Sequence, residues 1–145
     1  MGKYVDQYAQ DGGWATPEQM ARKHVFVING SPDFLDVIRA LLQDERYNVT
    51  TTNFVPESFA TIAAAQPTML IIDLVRGEQA GWDLLREIRK AATTRDIPIL
   101  LMSTSKDLLE DARNQHEAFG GDRYLSKPFD LDDLLGTIEG LIGKA

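Results

Sequence analysis

Apolar positions fall into short β-branched runs that alternate with segments of helical spacing. Val25-Phe26-Val27-Ile28 is a continuous apolar run and predicts a buried strand. Ser31-Pro32-Asp33 then supplies a capping hydroxyl, a proline suited to the first helical position and an acid for the first turn. Phe34, Leu35, Ile38, Leu41 and Leu42 follow with helical spacing. Val49 to Phe54 predicts a second, more polar strand at a sheet edge, and Pro56 to Ala65 a short helix that ends near Gln66-Pro67. A third strand spans Met69 to Asp73, and a third helix Trp82 to Ala92, with Leu84, Leu85 and Ile88 on one face. The fourth strand is Ile97 to Ser103. The fourth helix runs from Asp107 to Phe119 and stops at Gly120-Gly121, a C-cap signal. Tyr124 to Ser126 is the fifth strand. The fifth helix starts at Leu131, with Asp130 placed to cap it, and carries Leu134, Leu135, Ile138, Leu141 and Ile142.

Five short strands alternating with five helices imply an α/β fold whose parallel sheet is covered on both faces by right-handed crossovers. Every strand then points its C-terminal end to one rim, where open α/β sheets place their sites. That rim collects Asn29, Asp73, Ser103 and Lys127: one carboxylate, one hydroxyl, one ammonium and one amide. Such a set can accept a phosphoryl group. The Asp73 carboxylate is a nucleophile for phosphorus, the Lys127 ammonium offsets the incoming charge, and the Ser103 hydroxyl can donate to a phosphoryl oxygen. Taken singly, each residue also fits a cap, a turn or a solvated loop; together at three strand tips they read as a shared site.

Length and composition narrow the classes. The chain has 145 residues, 43% of them hydrophobic, which suits one globular domain. Residues 1–23 lack the periodicity of the remainder and read as an N-terminal extension, either a mobile tail or a short helix capped by Thr16, with the domain over 24–145. The net charge of −7 argues against broad binding to nucleic acid or anionic membrane. There is no cysteine, so disulfides, thiolate zinc sites and a thiol nucleophile are excluded. No apolar run approaches the roughly 20 residues of a membrane span, and the first residues lack the apolar core of a signal peptide. A soluble cytoplasmic protein is expected. His24 and His116 read as surface or packing residues.

From His24 onward, the chain resembles a response-regulator receiver domain of the CheY type. Asp73 is followed eight residues later by Gly81, as in the phosphoacceptor loop of that family. Ser103 ends the fourth strand, Lys127-Pro128-Phe129 matches the Lys-Pro-aromatic motif, and Tyr124 stands where the family keeps an aromatic switch residue. The resemblance implies a flavodoxin-like (βα)5 doubly wound sheet of strand order 2-1-3-4-5, for which CheY is the standard example. It also implies Asp73 as phosphoacceptor, Ser103 and Tyr124 as switch residues, and Mg²⁺ held by Asp73 and the backbone carbonyl of Val75. The implied partners are a histidine kinase, a phosphotransfer protein or another signalling protein. These would dock on the face formed by the fourth helix, fifth strand and fifth helix.

The sequence departs from the family at its metal pocket. The acidic pair that follows strand one in the family is replaced by Asn29-Gly30-Ser31. Asn29 offers only a neutral amide oxygen, and Asp73 faces Lys127 alone. A direct Asp73–Lys127 salt bridge, weak or absent Mg²⁺ binding and slow or absent phosphorylation are therefore expected. Arg76-Gly77 replaces the usual loop residues, with Arg76 either supplying local positive charge or lying solvated. Thr104 replaces a small residue and could narrow access to the rim. The expected function is a stand-alone receiver acting as an interaction or switch module in two-component signalling, not a turnover enzyme. The alternative is a conventional switch with Asp73 charged by a histidine kinase. A haloacid-dehalogenase-type phosphatase would need an acid where Val75 stands, and a flavin carrier would need a phosphate cradle that Asn29-Gly30-Ser31-Pro32 lacks.

Overall fold

The computed structural model describes residues 17, 22–53, 58–114 and 121–145. Its elements, in chain order, are β1 (His24–Ile28), α1 (Pro32–Asp44), β2 (Asn48–Thr52), α2 (Ser58–Ala65), β3 (Met69–Asp73), α3 (Ala80–Lys90), β4 (Ile99–Ser103), α4 (Lys106–Asn114), β5 (Arg123–Ser126) and α5 (Leu131–Ile142). The strands form one five-stranded parallel sheet in the order β2-β1-β3-β4-β5. This is the flavodoxin-like order, and β2 is an edge strand as its polar sequence suggests.

Alternation along each central strand divides the core into two layers. Phe26, Ile28, Leu70, Ile72, Ile99 and Leu101 pack with Ile62 of α2, Leu84, Leu85 and Ile88 of α3, and Leu109 and Ala112 of α4. Val25, Val27, Met69, Ile71, Leu100 and Met102 pack on the other face with Ile38 and Leu42 of α1 and Leu134 and Ile138 of α5. Burial on both faces explains why β1, β3 and β4 are continuous apolar runs.

Helix α1 starts as its sequence indicates: Ser31 is the N-cap and its Oγ accepts from Phe34 N at 3.3 Å, with Pro32 in the first turn. The start of α5 differs from expectation. Asp130 occupies the N-cap position, but its side chain makes no capping hydrogen bond; its backbone carbonyl accepts from Leu134 N instead. The carboxylate is left to act on the helix through its charge alone. Strand β4 begins at Ile99 rather than Ile97, because Pro98 has no N–H and Ile97 N closes a turn onto Thr94 O at 3.1 Å. Helix α3 starts two residues before Trp82 and ends at Lys90. Strand β2 ends at Thr52, and α2 is described from Ser58.

The expected helix end at Gly120, His116 and the capping Thr16 lie outside the described residues. Lys23, which composition grouped with the N-terminal extension, is tied to the domain: its Nζ donates to Ile142 O at 2.6 Å and Lys144 O at 2.7 Å. Among the described residues, no helix is long and apolar enough to cross a membrane.

Candidate functional site

Parallel register brings the chemical residues to one rim. Ile28 pairs with Ile72, so Asn29 and Asp73 follow side by side at the tips of β1 and β3. Asp73 pairs with Met102, which places Ser103 one step beyond on β4, and Ser103 pairs with Ser126 just before Lys127. Lys127 N donates to Ser103 O at 2.8 Å, which anchors the β5–α5 loop on β4. The Lys127–Pro128 peptide is cis.

The central contact is electrostatic. Lys127 Nζ lies 2.8 Å from Asp73 Oδ1, with the two side chains 23% and 8% exposed. At this distance the ammonium is in direct contact with the carboxylate oxygen, as in a charge-assisted hydrogen bond. The ammonium also stands 5.3 Å from the centroid of the Phe34 ring, within cation–π range. Burial pushes the Asp73 carboxyl above its ordinary pKa. Contact with Lys127 and its positive charge pull it down, and Glu78 adds a push upward. Burial is the largest of these effects.

The other sequence-predicted residues are at the rim but are committed elsewhere. Ser103 is fully buried, and its Oγ donates to Leu74 O at 2.6 Å while accepting from Ser105 N at 3.0 Å. Its proton is therefore directed at the backbone after β3 and not at Asp73. The Val75 carbonyl accepts from Glu78 N at 3.1 Å, in a turn whose Gly77 has φ +82°, a backbone conformation that favours glycine. Asn29 is 2% exposed, and its Oδ1 accepts from Ser31 N at 2.8 Å. Its Nδ2 is buried without a hydrogen-bond partner.

This donor set does not fit a magnesium ion. Mg²⁺ demands several oxygen ligands in octahedral geometry. Here the only carboxylate among these residues is engaged by Lys127, the Asn29 oxygen is held by a backbone N–H, and one lone pair of Val75 O is used. Among the described residues, no group of three or more His, Cys, Asp or Glu is gathered as cation ligands.

Arg76 lies in an exposed ion pair with Asp107 at 3.3 Å and donates to Ser105 Oγ at 3.1 Å, bridging the β3–α3 loop to the start of α4. Thr104 is exposed beside it. Tyr124 sits at α4: its ring packs on the core layer of α2, α3 and α4, the Arg113 guanidinium lies 4.7 Å above it, and its hydroxyl accepts from Gly121 N at 3.0 Å. Sequence reasoning placed Phe34 only in the α1 core and assigned Asn29 only an oxygen. The place of the Phe34 ring over Lys127 depends on a contact between distant segments, and the direction of the Asn29 amide on the local position of Ser31 N–H.

The sequence matches the family described as response regulator receiver domain over residues 25–139. The chain belongs to this family. Its members are signalling modules of two-component pathways. Relatives include the probable transcriptional regulatory protein TcrX of Mycobacterium tuberculosis, 27% identical over 81% of this chain and 49% of that protein. Protein PilG of Pseudomonas aeruginosa is 26% identical over 79% of this chain and 84% of its own length. The chain spans about half the length of the first transcriptional regulators it matches, at 49% and 48%.

Among solved structures, the chemotaxis protein CheY4 of Vibrio cholerae is similar, with a TM-score of 0.73 and 24% identity, covering 83% of this chain and 99% of that one. The receiver domain of the sensor histidine kinase PA1611 of Pseudomonas aeruginosa, solved with a magnesium ion in its active-site cleft, has a TM-score of 0.70 and 23% identity, covering 86% and 100%. At these identities the structural likeness speaks to the fold.

Proposed function

We propose that this chain is a cytoplasmic receiver module of two-component signalling whose phosphoacceptor position, Asp73, is balanced at rest by Lys127 instead of by magnesium. The observation that carries this reading is the 2.8 Å Lys127–Asp73 ion pair, made beside an asparagine where an acid would be needed to recruit a cation. The pair is formally neutral, so nothing in it calls for a divalent ion. The module acts by binding, with a histidine kinase, a phosphotransfer protein or another signalling protein as partner. Nucleic acid and membrane are not partners of this domain.

Partner contact is assigned to the α4–β5–α5 face, and Tyr124 and Ser103 are its switch residues. Two contacts support this: Arg113 of α4 covers the Tyr124 ring, and Ser103 joins β4 to the backbone after β3. A change in charge at Asp73 that recruits the Ser103 hydroxyl would break its bond to Leu74 after β3 and shift the oxygen that accepts from Ser105 N at the entry to α4. A second reading, phosphorylation of Asp73 by a histidine kinase in the ordinary way, is favoured by the retention of Asp73, Ser103 and Lys127 at adjacent strand tips.

Calorimetric titration with Mg²⁺ tests the reading. No binding is expected at concentrations that saturate a receiver with an acid pair. Saturation in the same range would show that the site recruits the metal and would favour the second reading.

A further inference from the structure

Asn29 is held in one orientation. Ser31 N–H requires an acceptor, and Asn29 Oδ1 supplies it at 2.8 Å. Inverting the amide would set two N–H groups against each other. The group left over is therefore a donor, Nδ2, which is buried and has no acceptor. A buried amide donor without a partner bears its full desolvation cost, which an arriving acceptor would recover. Beside it, one step past the paired Ile28 and Ile72, stands Asp73, whose Oδ1 has the Lys127 ammonium as a donor at 2.8 Å. An ammonium on the Asp73 carboxylate and an unpaired amide donor at the neighbouring strand tip suit an anion better than a cation, even with Glu78 adding negative charge nearby.

We propose that the tips of β1, β3 and β5 form a metal-independent site for a phosphoryl-type oxyanion carried on Asp73, with Asn29 Nδ2 and Lys127 Nζ as its hydrogen-bond donors. The inference rests on the receiver reading and extends it from the resting pair to the loaded site. The charge count agrees. At rest, Asp73 and Lys127 sum to zero. A phosphoryl group on the carboxylate carries about −2, as phosphoryl groups do near neutral pH, so the loaded site is left near −1 with no metal present.

Loading forms a bond from an Asp73 oxygen to phosphorus as the bond from phosphorus to the donor, a phosphohistidine or an acyl phosphate, breaks. The electron pair departs with the donor. Lys127 then passes from the carboxylate to the phosphoryl oxygens, and Asn29 Nδ2 gains the acceptor it lacks. This describes how the group is held and not how fast it arrives.

Beryllium fluoride separates holding from transfer, because BeF3⁻ attaches to a carboxylate oxygen through a dative bond and presents three fluorine acceptors. Fluorine NMR of the full chain would be recorded in metal-depleted buffer and in millimolar Mg²⁺. Bound-fluoride occupancy in the wild type should agree between the two within about twofold. Asn29→Asp keeps the acceptor for Ser31 N–H but loses the donor. It should lose about tenfold in affinity without metal, the scale of a hydrogen bond to a charged group, and recover with Mg²⁺. Asn29→Ala should lose as much and recover nothing, with circular dichroism confirming that each variant is folded.

A wild-type adduct that needs Mg²⁺, an adduct absent under both conditions, or an Asn29→Asp adduct equal to wild type without metal would overturn the proposal. Bound fluoride that persists in Asp73→Asn would instead remove Asp73 as the acceptor, and with it the proposed role of Asp73 as phosphoacceptor position.

Discussion

Lys127 Nζ stands 2.8 Å from Asp73 Oδ1, yet the two ends of the pair are unequal: the Asp73 side chain is 8% exposed and the Lys127 side chain 23%. The lysine stem can carry its charge to water if its partner is lost, whereas the carboxylate has no such route. Removal of the lysine should therefore cost far more than removal of the acid. Lys127→Met should destabilise the fold by about 3 kcal/mol, the lower end of what stranding a buried charge costs. Asp73→Asn should be neutral or stabilising at neutral pH, because burial outweighs Lys127 in setting the Asp73 pKa. Urea denaturation of both variants at pH 7 checks the asymmetry.

The same shift fixes a pH dependence. The folded-state pKa of Asp73 is raised, so the folded protein takes up a proton before the unfolded chain does. Stability then rises, not falls, as pH drops through the raised folded value towards the ordinary one. In Lys127→Met the carboxyl is raised further. Its deficit relative to wild type should shrink on acidification from pH 7 towards pH 5, as followed by the urea midpoint.

His24 works in the opposite sense. Burial lowers its pKa, and its Nε2 lies 2.8 Å from Thr50 Oγ1. The unfolded chain binds the proton more readily, so stability falls as pH drops below the ordinary histidine value of about 6.5 and continues to fall to the lowered folded value. His24→Gln, which keeps a polar side chain near Thr50, should flatten that part of the pH–stability profile without altering the limb assigned to Asp73. Thermal melts across pH 5 to 7 measure the slope.

Arg89 holds the base of the sheet. It donates to Arg95 O at 2.7 Å and Ile97 O at 3.0 Å, and pairs with Asp122 at 3.0 Å. Asp122 also accepts from Ile99 N at 2.8 Å, which joins the β5 entry to β4. Arg89→Ala should cost about 2 kcal/mol, since it leaves the partly buried Ile97 carbonyl without its charged donor and removes the pair with Asp122. Denaturation midpoints check this. Fluoride occupancy at the opposite end of the sheet should stay unchanged.

The fold was legible because each central strand is an apolar run buried on both faces and because α1 announces its start with Ser31-Pro32-Asp33. Strand and helix ends were less so. Pro98 delays β4, and Asp130 sits at a cap position without capping, since a cap depends on side-chain direction and not on residue type alone. Asp73, Ser103 and Lys127 could be placed at one rim by topology. Their partners could not: that Ser103 donates to Leu74, that Phe34 stands over Lys127 and that Arg76 reaches Asp107 are contacts between distant segments. Asn29 was visible as a missing acid. That its amide presents a donor follows only from the position of Ser31 N–H.

The central claim is that Asp73 is balanced by Lys127 and not by magnesium. Intact-mass spectrometry after incubation with acetyl phosphate, in Mg²⁺ and in metal-depleted buffer, tests it most directly. The account predicts little or no added phosphoryl mass over a period that fully labels a receiver with an acid pair, and the same yield with and without metal. Rapid addition of one phosphoryl group that requires Mg²⁺, and that Asp73→Asn abolishes, would contradict it.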